Sequence, residues 1–216
     1  MNDNQDLFHI MTHLRPMRRL KPDPVPDEVL EEILQASSCA ANSMNTQPYR
    51  FVILKDPELR AFFGQRYQEA FENAFRDLKV DPSDNSAFAR NMRTAAKFGL
   101  TMKDVPVILL VCGIRDWPFA VPHDQRKGIA PPSPGSVYPC VQNILLGCRA
   151  KGLGASLTTL HQLFEAELCE RCGIPDSYGV VAAIPIGYPK GNFGPVTRRP
   201  VKELTFLDAW NHSCFE

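Results

Sequence analysis

The chain has 216 residues, 44% of them hydrophobic, and its 24 lysines and arginines balance 24 aspartates and glutamates. The hydrophobic fraction excludes a globally disordered chain, and the zero formal charge disfavours nucleic acid as a partner. The longest apolar run, over residues 105–112, is far shorter than the roughly 20 residues that cross a bilayer, so no membrane partner is expected.

The first half of the chain predicts a helix, a strand and two further helices. Prolines followed by apolar residues at helical spacing predict a helix over Asp27–Ser38. Tyr49–Leu54 is rich in aromatic and β-branched residues and predicts a strand. The mixed charges and aromatics of residues 57–100 predict two helices, which separate at the turn residues 81–84.

The second half predicts two buried strands with helices between them. The apolar residues 105–112 and 180–186 predict the strands. Residues 117–134 contain five prolines and predict a long loop of the kind that often lines a binding site. Helical spacing of apolar residues predicts a core helix over residues 136–149 and another over 160–172.

This order of elements predicts an α+β fold in three layers, with helices on both faces of a central sheet. The length suits one core, and no internal repeat or linker divides the sequence. A single domain over residues 1–216 is therefore expected.

The cysteines bear on the cellular compartment. There are seven, an odd number, and most lie within apolar helix or strand patterns, which predicts reduced thiols in a cytoplasmic protein. The acidic residues 1–6 have the wrong charge for the start of a secretory signal. Cys169 and Cys172 have redox or metal spacing, but no second Cys/His pair completes a zinc site, so no metal is expected.

Two groups of cations lie near the two ends of the chain. They are Arg15, Arg18, Arg19 and Lys21 in the first group, and Arg198, Arg199 and Lys202 in the second. Guanidinium groups match a phosphate in charge and in bidentate geometry. The alternatives are two solvated surfaces or, more weakly, an RNA-binding patch, since no aromatic residues interleave with the charges.

Two polar segments, residues 42–48 and 156–160, lie between predicted elements. Their polar side chains are Asn42, Ser43, Asn45 and Gln47 in the first and Ser156, Thr158 and Thr159 in the second. Amides and hydroxyls there would pair with a heterocyclic ligand, or would only cap helices and form turns. No nucleophile elbow, phosphate-binding loop or dinucleotide fingerprint is present, so redox chemistry would need a cofactor.

In this order, the segments resemble the nitroreductase family of flavoproteins over about residues 12–210. Residues 14–26 are similar to the family's opening Arg/Ser/Arg segment, which grips flavin phosphate and ribityl, and residues 41–49 to its Pro-Ser-x-x-Asn-x-Gln-Pro-Trp stretch. Residues 136–146 resemble its long central helix and residues 152–161 its flavin-facing loop. Gly187-Tyr188-Pro189 and Arg198-Arg199-Pro200 resemble its final strand and phosphate-binding arginine.

The resemblance implies an α/β/α sandwich around a mixed, mainly antiparallel sheet. It also implies a homodimer with two FMN sites at the interface, each lined by both subunits, and a C-terminal extension that embraces the partner. The implied FMN-binding residues are Arg15, Pro16, Met17, Arg18, Arg19, Asn42, Ser43, Asn45, Gln47, Ser156, Leu157, Thr158, Thr159 and Arg198. Arg15 and Arg198 are expected to meet at one FMN phosphate.

The implied activity is ping-pong oxidoreduction, in which NAD(P)H reduces the flavin and a flat, electron-poor acceptor such as a nitroaromatic, quinone or activated alkene reoxidises it. No side chain is expected to be catalytic, but Arg18 or Arg19 would stabilise the negative charge of the reduced flavin. Trp117, Phe119 and His123 would cover the flavin or belong to ordinary surface. The alternatives are a non-catalytic flavin-binding or storage protein and a flavin-fragmenting or dehalogenating enzyme of the same fold.

Overall fold

A computed structural model of the chain describes residues 6–78, 80–115 and 135–212. Those residues form six α-helices and four strands, joined by short 3-10 turns. The helices are α1 (Leu7–His13), α2 (Asp27–Ser38), α3 (Pro57–Ala74), α4 (Ala87–Met102), α5 (Tyr138–Ala150) and α6 (Glu165–Cys172). The strands are β1 (Tyr49–Leu54), β2 (Val107–Ile114), β3 (Gly154–Ala155) and β4 (Tyr178–Gly187).

The four strands form one sheet in the order β1-β2-β4-β3, and its three pairings are antiparallel. The long central strands β2 and β4 are buried along nearly their whole length. This burial explains why both read as continuous apolar runs, since a strand covered on both faces needs no polar alternation. The mainly antiparallel sheet is confirmed. The sheet was also expected to be mixed, but the part of the chain that the structure describes contains no parallel pair of strands.

Each face of the sheet carries its own core. Leu109 and Val111 of β2 pack with α2 and α5 on one face, whereas Ile108 and Leu110 pack with α3 and α4 on the other. Successive strand residues point to opposite faces, so one apolar strand supplies both cores. The three-layer arrangement of helices around a central sheet is confirmed.

The bounds of α2 and β1 agree with the sequence prediction, and α5 lies within two residues of its predicted place. Strand β2 begins at Val107, two residues later than predicted, because Pro106 has no N–H to donate to the ladder. Short α1 and two-residue β3 were not predicted. None of the helices in the described ranges is long and apolar enough to cross a membrane.

The prediction of one helix over residues 160–172 is wrong in its first part. Leu160–Phe164 forms a 3-10 turn, and only α6 is α-helical. Phe164, at φ −139° and ψ 25°, interrupts the helical backbone between them. Gly173 ends α6 in the left-handed conformation with φ 63°, which glycine adopts without a steric cost.

Candidate functional site

The N-terminal cations lie on an extended segment, residues 14–21, that is held against the edge of the sheet at β3. The Met17 N–H donates to the carbonyl oxygen of Ala155 at 2.9 Å, and the Lys21 N–H donates to that of Tyr188 at 2.7 Å. This segment therefore adds to the sheet next to β3 and is fixed at both ends.

Packing at Gly154 brings the segment close. A Cβ at this position would lie 2.8 Å from both Leu20 Cδ2 and Met17 Cβ, so the backbone approach requires glycine. Met17 and Leu20 are buried, whereas Arg15, Pro16 and Arg19 are exposed and Arg18 is half-buried. The side chain of Met17 is therefore a core residue that anchors the segment, while the arginines around it face outward.

The chain beyond β4 returns along the same segment. The Lys190 N–H donates to the Arg19 carbonyl at 2.9 Å, and the Val196 N–H donates to the Thr12 carbonyl at 3.0 Å. The stretch between them is fixed from its other side, because the buried Arg149 of α5 stacks its guanidinium 4.2 Å from the centre of the Phe193 ring.

This return brings the segments carrying Arg15 and Arg198 together. Nη1 of Arg15 lies 3.6 Å from the position of a Cβ on Gly194, four residues before the exposed Arg198. Among the described residues, no carboxylate forms an ion pair with Arg15, Arg18, Arg19 or Arg198. The segments that bear Arg15 and Arg198 thus lie together, although the two arginines are far apart in sequence.

The loop after β3 borders the same region. Its backbone continues along β4, since the Thr158 N–H donates to the Ala183 carbonyl at 2.9 Å and the Ala183 N–H returns the bond at 3.0 Å. The Ser156 side chain is buried and Leu157 packs against the core. Of the predicted loop residues, these two are thus largely occupied by the fold.

The two threonines of this loop differ in whether their hydroxyl groups are already hydrogen-bonded within the chain. The Thr158 hydroxyl accepts a hydrogen bond from the Leu160 N–H at 3.2 Å, which is the capping role considered from sequence. Thr159 is exposed and its side chain makes no capping bond to the following turn. The Thr159 side chain is therefore the better placed of the two to meet a ligand.

Tyr67 of α3 links this loop to Arg18. Burial raises the pKa of the Tyr67 phenol, while the Thr158 side chain and the positive charge of Arg18 act in the opposite direction. Arg18 also lines one cavity with Phe98 of α4, whose ring packs edge-on against Tyr67. The Nη2 atom of Arg19 lies 3.5 Å from the position of a Cβ on Gly191.

A basic cavity of about 420 Å³ opens beside the two arginines. Its lining residues are Arg18, Arg19, Arg90, Arg93, Thr94, Lys97, Phe98 and Thr101. The contribution of α4 was missed from the sequence, although Arg90, Arg93 and Lys97 have the spacing of one helical face. That spacing was the available signal; only the fold shows that the face meets Arg18 and Arg19.

The predicted segment over residues 42–48 lies elsewhere in the chain. The Gln47 N–H donates to Asn42 Oδ1 at 2.9 Å, so Asn42 shapes the turn. Met44, Asn45 and Gln47 all have positive φ, between 46° and 53°, and all three side chains are exposed. The loop is thus held in an unusual backbone conformation with its amides directed to the outside.

Sheet register separates this loop from the arginine segment. The loop enters β1 at Tyr49, which pairs with Gly113 and through it lies level with Gly179 at the start of β4. The arginine segment lies beyond β3, which pairs near the end of β4. Four strand spacings of about 4.8 Å across the sheet and seven residues of about 3.3 Å along β4 put on the order of 30 Å between them. One chain does not bring these two predicted parts of the site together.

Other side chains that could bind a ligand or a metal do not contribute to this site, or lie outside the described residues. His161 is fully buried with Nε2 2.7 Å from the Val180 carbonyl oxygen, and burial lowers its pKa, as befits a packing residue. Cys169 and Cys172 are free thiols whose pKa burial raises. The described ranges contain no group of three or more His, Cys, Asp or Glu that would hold a metal. Trp117, Phe119 and His123 lie outside the described residues.

The sequence of the chain is similar to a known protein family and to proteins of known name. A model of the nitroreductase family matches residues 15–188. The chain is 28% identical over 204 residues to an NADH dehydrogenase of Thermus thermophilus, which aligns 88% of this chain with 90% of that protein. It is 26% identical over 186 residues to an iodotyrosine deiodinase of Thermotoga neapolitana, which aligns 85% of this chain with 88% of that protein.

The fold also matches a solved structure of oxidised iodotyrosine deiodinase bound to FMN and 3-iodo-L-tyrosine. The TM-score is 0.70 at 22% identity, covering 95% of this chain and 98% of that one. The family match begins at Arg15 and ends at Tyr188. It therefore includes all of the segment that is held against β3 except Leu14.

Proposed function

Because the chain belongs to the nitroreductase family, we propose that it binds FMN and catalyses the NAD(P)H-driven reduction of a flat, electron-poor acceptor such as a quinone or nitroaromatic. The observation that carries the proposal is the convergence of the segments bearing Arg15, Arg18, Arg19 and Arg198 beside the Thr158–Thr159 loop. Bound FMN would supply the redox chemistry, and the chain would supply binding, orientation and electrostatics.

The residues present fit the phosphate of FMN. Arg15 and Arg198 are exposed, have no carboxylate partner among the described residues, and lie on segments that the fold holds together. A guanidinium offers two parallel donors to phosphate oxygens, and its interaction is stronger than that of an uncharged donor. We therefore assign the phosphate to Arg15 and Arg198.

Arg18 is the better candidate for electrostatic stabilisation of the reduced cofactor. It is half-buried, whereas Arg19 is exposed. A partly buried charge is screened less by water and salt than an exposed one, so it acts more strongly on charge that develops nearby. Arg18 would act through its field alone and would transfer no proton.

The separation of the 42–47 loop from the arginine segment supports a site shared by two chains. Within one chain the loop lies at the opposite corner of the sheet from Arg15. In a homodimer, the loop of one subunit would complete the site that the arginines of the other begin. Asn45 and Gln47, whose side chains are exposed, would then contact the partner's FMN.

Exposed apolar surface supports the same dimer. The C-terminal segment exposes 65% of Val201, 58% of Leu204 and 80% of Trp210. Leaving this much apolar surface in contact with water is unfavourable for a monomer. At β1, which pairs only with β2 among the described residues, an apolar groove of about 600 Å³ runs between Phe51 and α2. We propose that the C-terminal segment of each subunit covers apolar surface of its partner.

Colour and oligomeric state test the cofactor and the dimer. The purified protein should be yellow, release FMN on denaturation and scatter light as a dimer, while a chain ending at Pro200 should lose the dimer. A colourless protein that does not bind added FMN would remove the proposed cofactor. A full-length, FMN-loaded monomer would remove the shared site and leave the cofactor assignment in place.

Anaerobic mixing with NADH or NADPH tests the activity itself. An oxidoreductase should lose its yellow absorbance rapidly. Double-reciprocal plots of the initial rates with a quinone should give parallel lines, because donor and acceptor use one site in turn. A flavin-loaded protein that neither nicotinamide reduces would be a binding or storage protein. Intersecting lines would contradict the ping-pong order.

Reductive dehalogenation is a second candidate. It is favoured by the likeness to iodotyrosine deiodinases over most of the chain. In that reaction two electrons and a proton replace the aryl C–I bond by C–H, and iodide leaves. Iodide release from 3-iodo-L-tyrosine by the dithionite-reduced protein, faster than by free reduced FMN, would support it.

A further inference from the structure

One face of α4 carries cations that the proposed FMN site does not use. Arg90, Arg93 and Lys97 line the basic cavity together with two hydroxyls of the same face, Thr94 and Thr101. From Arg90 to Thr101 the helix rises about 16 Å, at 1.5 Å for each residue. The cavity is therefore bordered by a helix face of about that length.

The opposite wall of this groove begins at the proposed flavin site. Arg18 and Arg19 line it together with Phe98 of α4, and the Arg18 charge opposes the rise that burial causes in the pKa of Tyr67. Tyr67 in turn packs edge-on against Phe98 of α4, with ring centroids 5.9 Å apart at 82°. Arg18 thus faces the Phe98 end of the groove, and Arg90 lies two helical turns, about 12 Å, further along.

The groove concentrates charge in a chain whose formal net charge is zero. Five of its eight lining residues are cations and none is acidic. The Arg93 guanidinium donates to the backbone carbonyl of Asp81 at 3.3 Å, and hydrogen bonds from Ser86 mainly, with smaller effects of the Arg93 and Arg90 charges, lower the pKa of Asp84. Hydrogen bonds from Ser83 mainly, with a smaller effect of the Arg93 charge, lower the pKa of Asp81, which does not line the groove. Such crowding of like charge is relieved when an anion binds.

We propose that this groove binds the phosphates of the reduced nicotinamide dinucleotide, with Arg90 and Arg93 at the 2′-phosphate that distinguishes NADPH from NADH. The inference rests on the proposed function, which places the nicotinamide over the flavin beside Arg18. The rest of the dinucleotide must then leave the flavin site, and the basic groove starts there and is elongated. Two arginines at its far end suit a phosphomonoester, which accepts bidentate hydrogen bonds from guanidinium groups.

A binding experiment on the FMN-loaded protein tests the groove without turnover. The probes are adenosine 2′,5′-bisphosphate and adenosine 5′-monophosphate, which differ only in the 2′-phosphate, titrated by calorimetry. The bisphosphate should bind at least about 10-fold more tightly, the scale of one charge-assisted hydrogen bond. Arg90→Ala and Arg93→Ala should each remove most of that preference, whereas Arg76→Ala, which removes an exposed arginine outside the groove, should keep it.

Equal binding of the two probes, or an equal preference in the Arg93→Ala and Arg76→Ala proteins, would overturn the inference. The inference would also be overturned if the groove bound an anionic acceptor instead of the dinucleotide. In that case Arg93→Ala would raise the KM for 4-nitrobenzoate but not the KM for NADPH. Steady-state rates separate this inference from the proposed function. Reduction by NADH and NADPH with equal kcat/KM would refute the groove assignment alone, whereas a flavin that neither reduces would refute the proposed function.

Discussion

The two edges of the sheet end in different ways. At β3 the chain covers its own edge, with residues 14–21 hydrogen-bonded to Ala155 and Tyr188 and with Met17 buried beneath them. At β1 the described residues leave the edge unpaired, next to an apolar groove. The loop that leads into this edge turns its polar side chains outward.

This difference explains how a small chain would build a large site. At the β3 edge, backbone hydrogen bonds hold the segment that carries the arginines, as the proposed half-site would require. The β1 edge has the features of a surface made for another chain, since unpaired strand edges and exposed apolar groups otherwise favour aggregation. Each of the following predictions tests one side of this contrast.

The largest effect is expected from Arg15 and Arg198, the arginines that we assign to the FMN phosphate. Arg15→Ala and Arg198→Ala should each weaken FMN binding about 10- to 150-fold, since a charge-assisted hydrogen bond contributes roughly 1.5–3 kcal/mol. Arg198→Lys should recover only part, because an ammonium lacks the planar fork. Fluorescence titration of the apo-protein measures the affinities, and changes within about twofold would show that these arginines are merely solvated surface.

A smaller effect, on stability, should follow from closing the space at Gly154. Gly154→Ala places a Cβ within 2.8 Å of Met17 and Leu20, and such overpacking typically costs about 1–3 kcal/mol in the free energy of unfolding. Gly191→Ala is the matched control, because its Cβ would meet nothing closer than Arg19 Nη2 at 3.5 Å. Urea unfolding at one fixed protein concentration compares them, and equal midpoints would contradict the close packing of the segment at β3.

The smallest effect concerns the two arginines beside the basic groove. Arg18→Ala should lower the two-electron potential of bound FMN by about 30 mV, equivalent to about 1.4 kcal/mol, and should slow hydride uptake more than it weakens binding. Arg19→Ala should lower it less, because Arg19 is exposed and more strongly screened. Potentials measured against a reference dye would contradict the electrostatic role if neither variant changed them.

The sequence predicted those elements whose signals are local. The prolines before Asp27 and the β-branched run of Tyr49–Leu54 mark α2 and β1 whatever surrounds them. The 3-10 turn at Leu160–Phe164 is different, because its backbone follows from burying His161 against the Val180 carbonyl, a contact formed only in the fold. Two-residue β3 is too short to leave a periodic pattern.

The candidate site divides along the same line. The basic groups and the polar segments were recognisable as candidates because guanidinium and amide side chains can bind phosphate and heterocycles wherever they lie in the sequence. Which of them lie together could not be read from their order, since the contact of Arg15 with the residues around Gly194 spans most of the chain. The groove along α4 was missed for the same reason. A basic helix face is common on protein surfaces, and only the fold shows that this one lies opposite Arg18 and Arg19.

A heterodimer experiment tests the shared site most directly. One chain carries Arg15→Ala and the other carries Asn45→Ala with Gln47→Ala, with different affinity tags so that the mixed dimer can be purified. If each site takes its arginines from one subunit and its loop from the other, one site has both defects and the other has neither. The account therefore predicts that the heterodimer binds one FMN with wild-type affinity, whereas both mutant homodimers bind weakly. A heterodimer whose two sites are both weakened would contradict it, because each site would then take its arginines and its loop from the same chain.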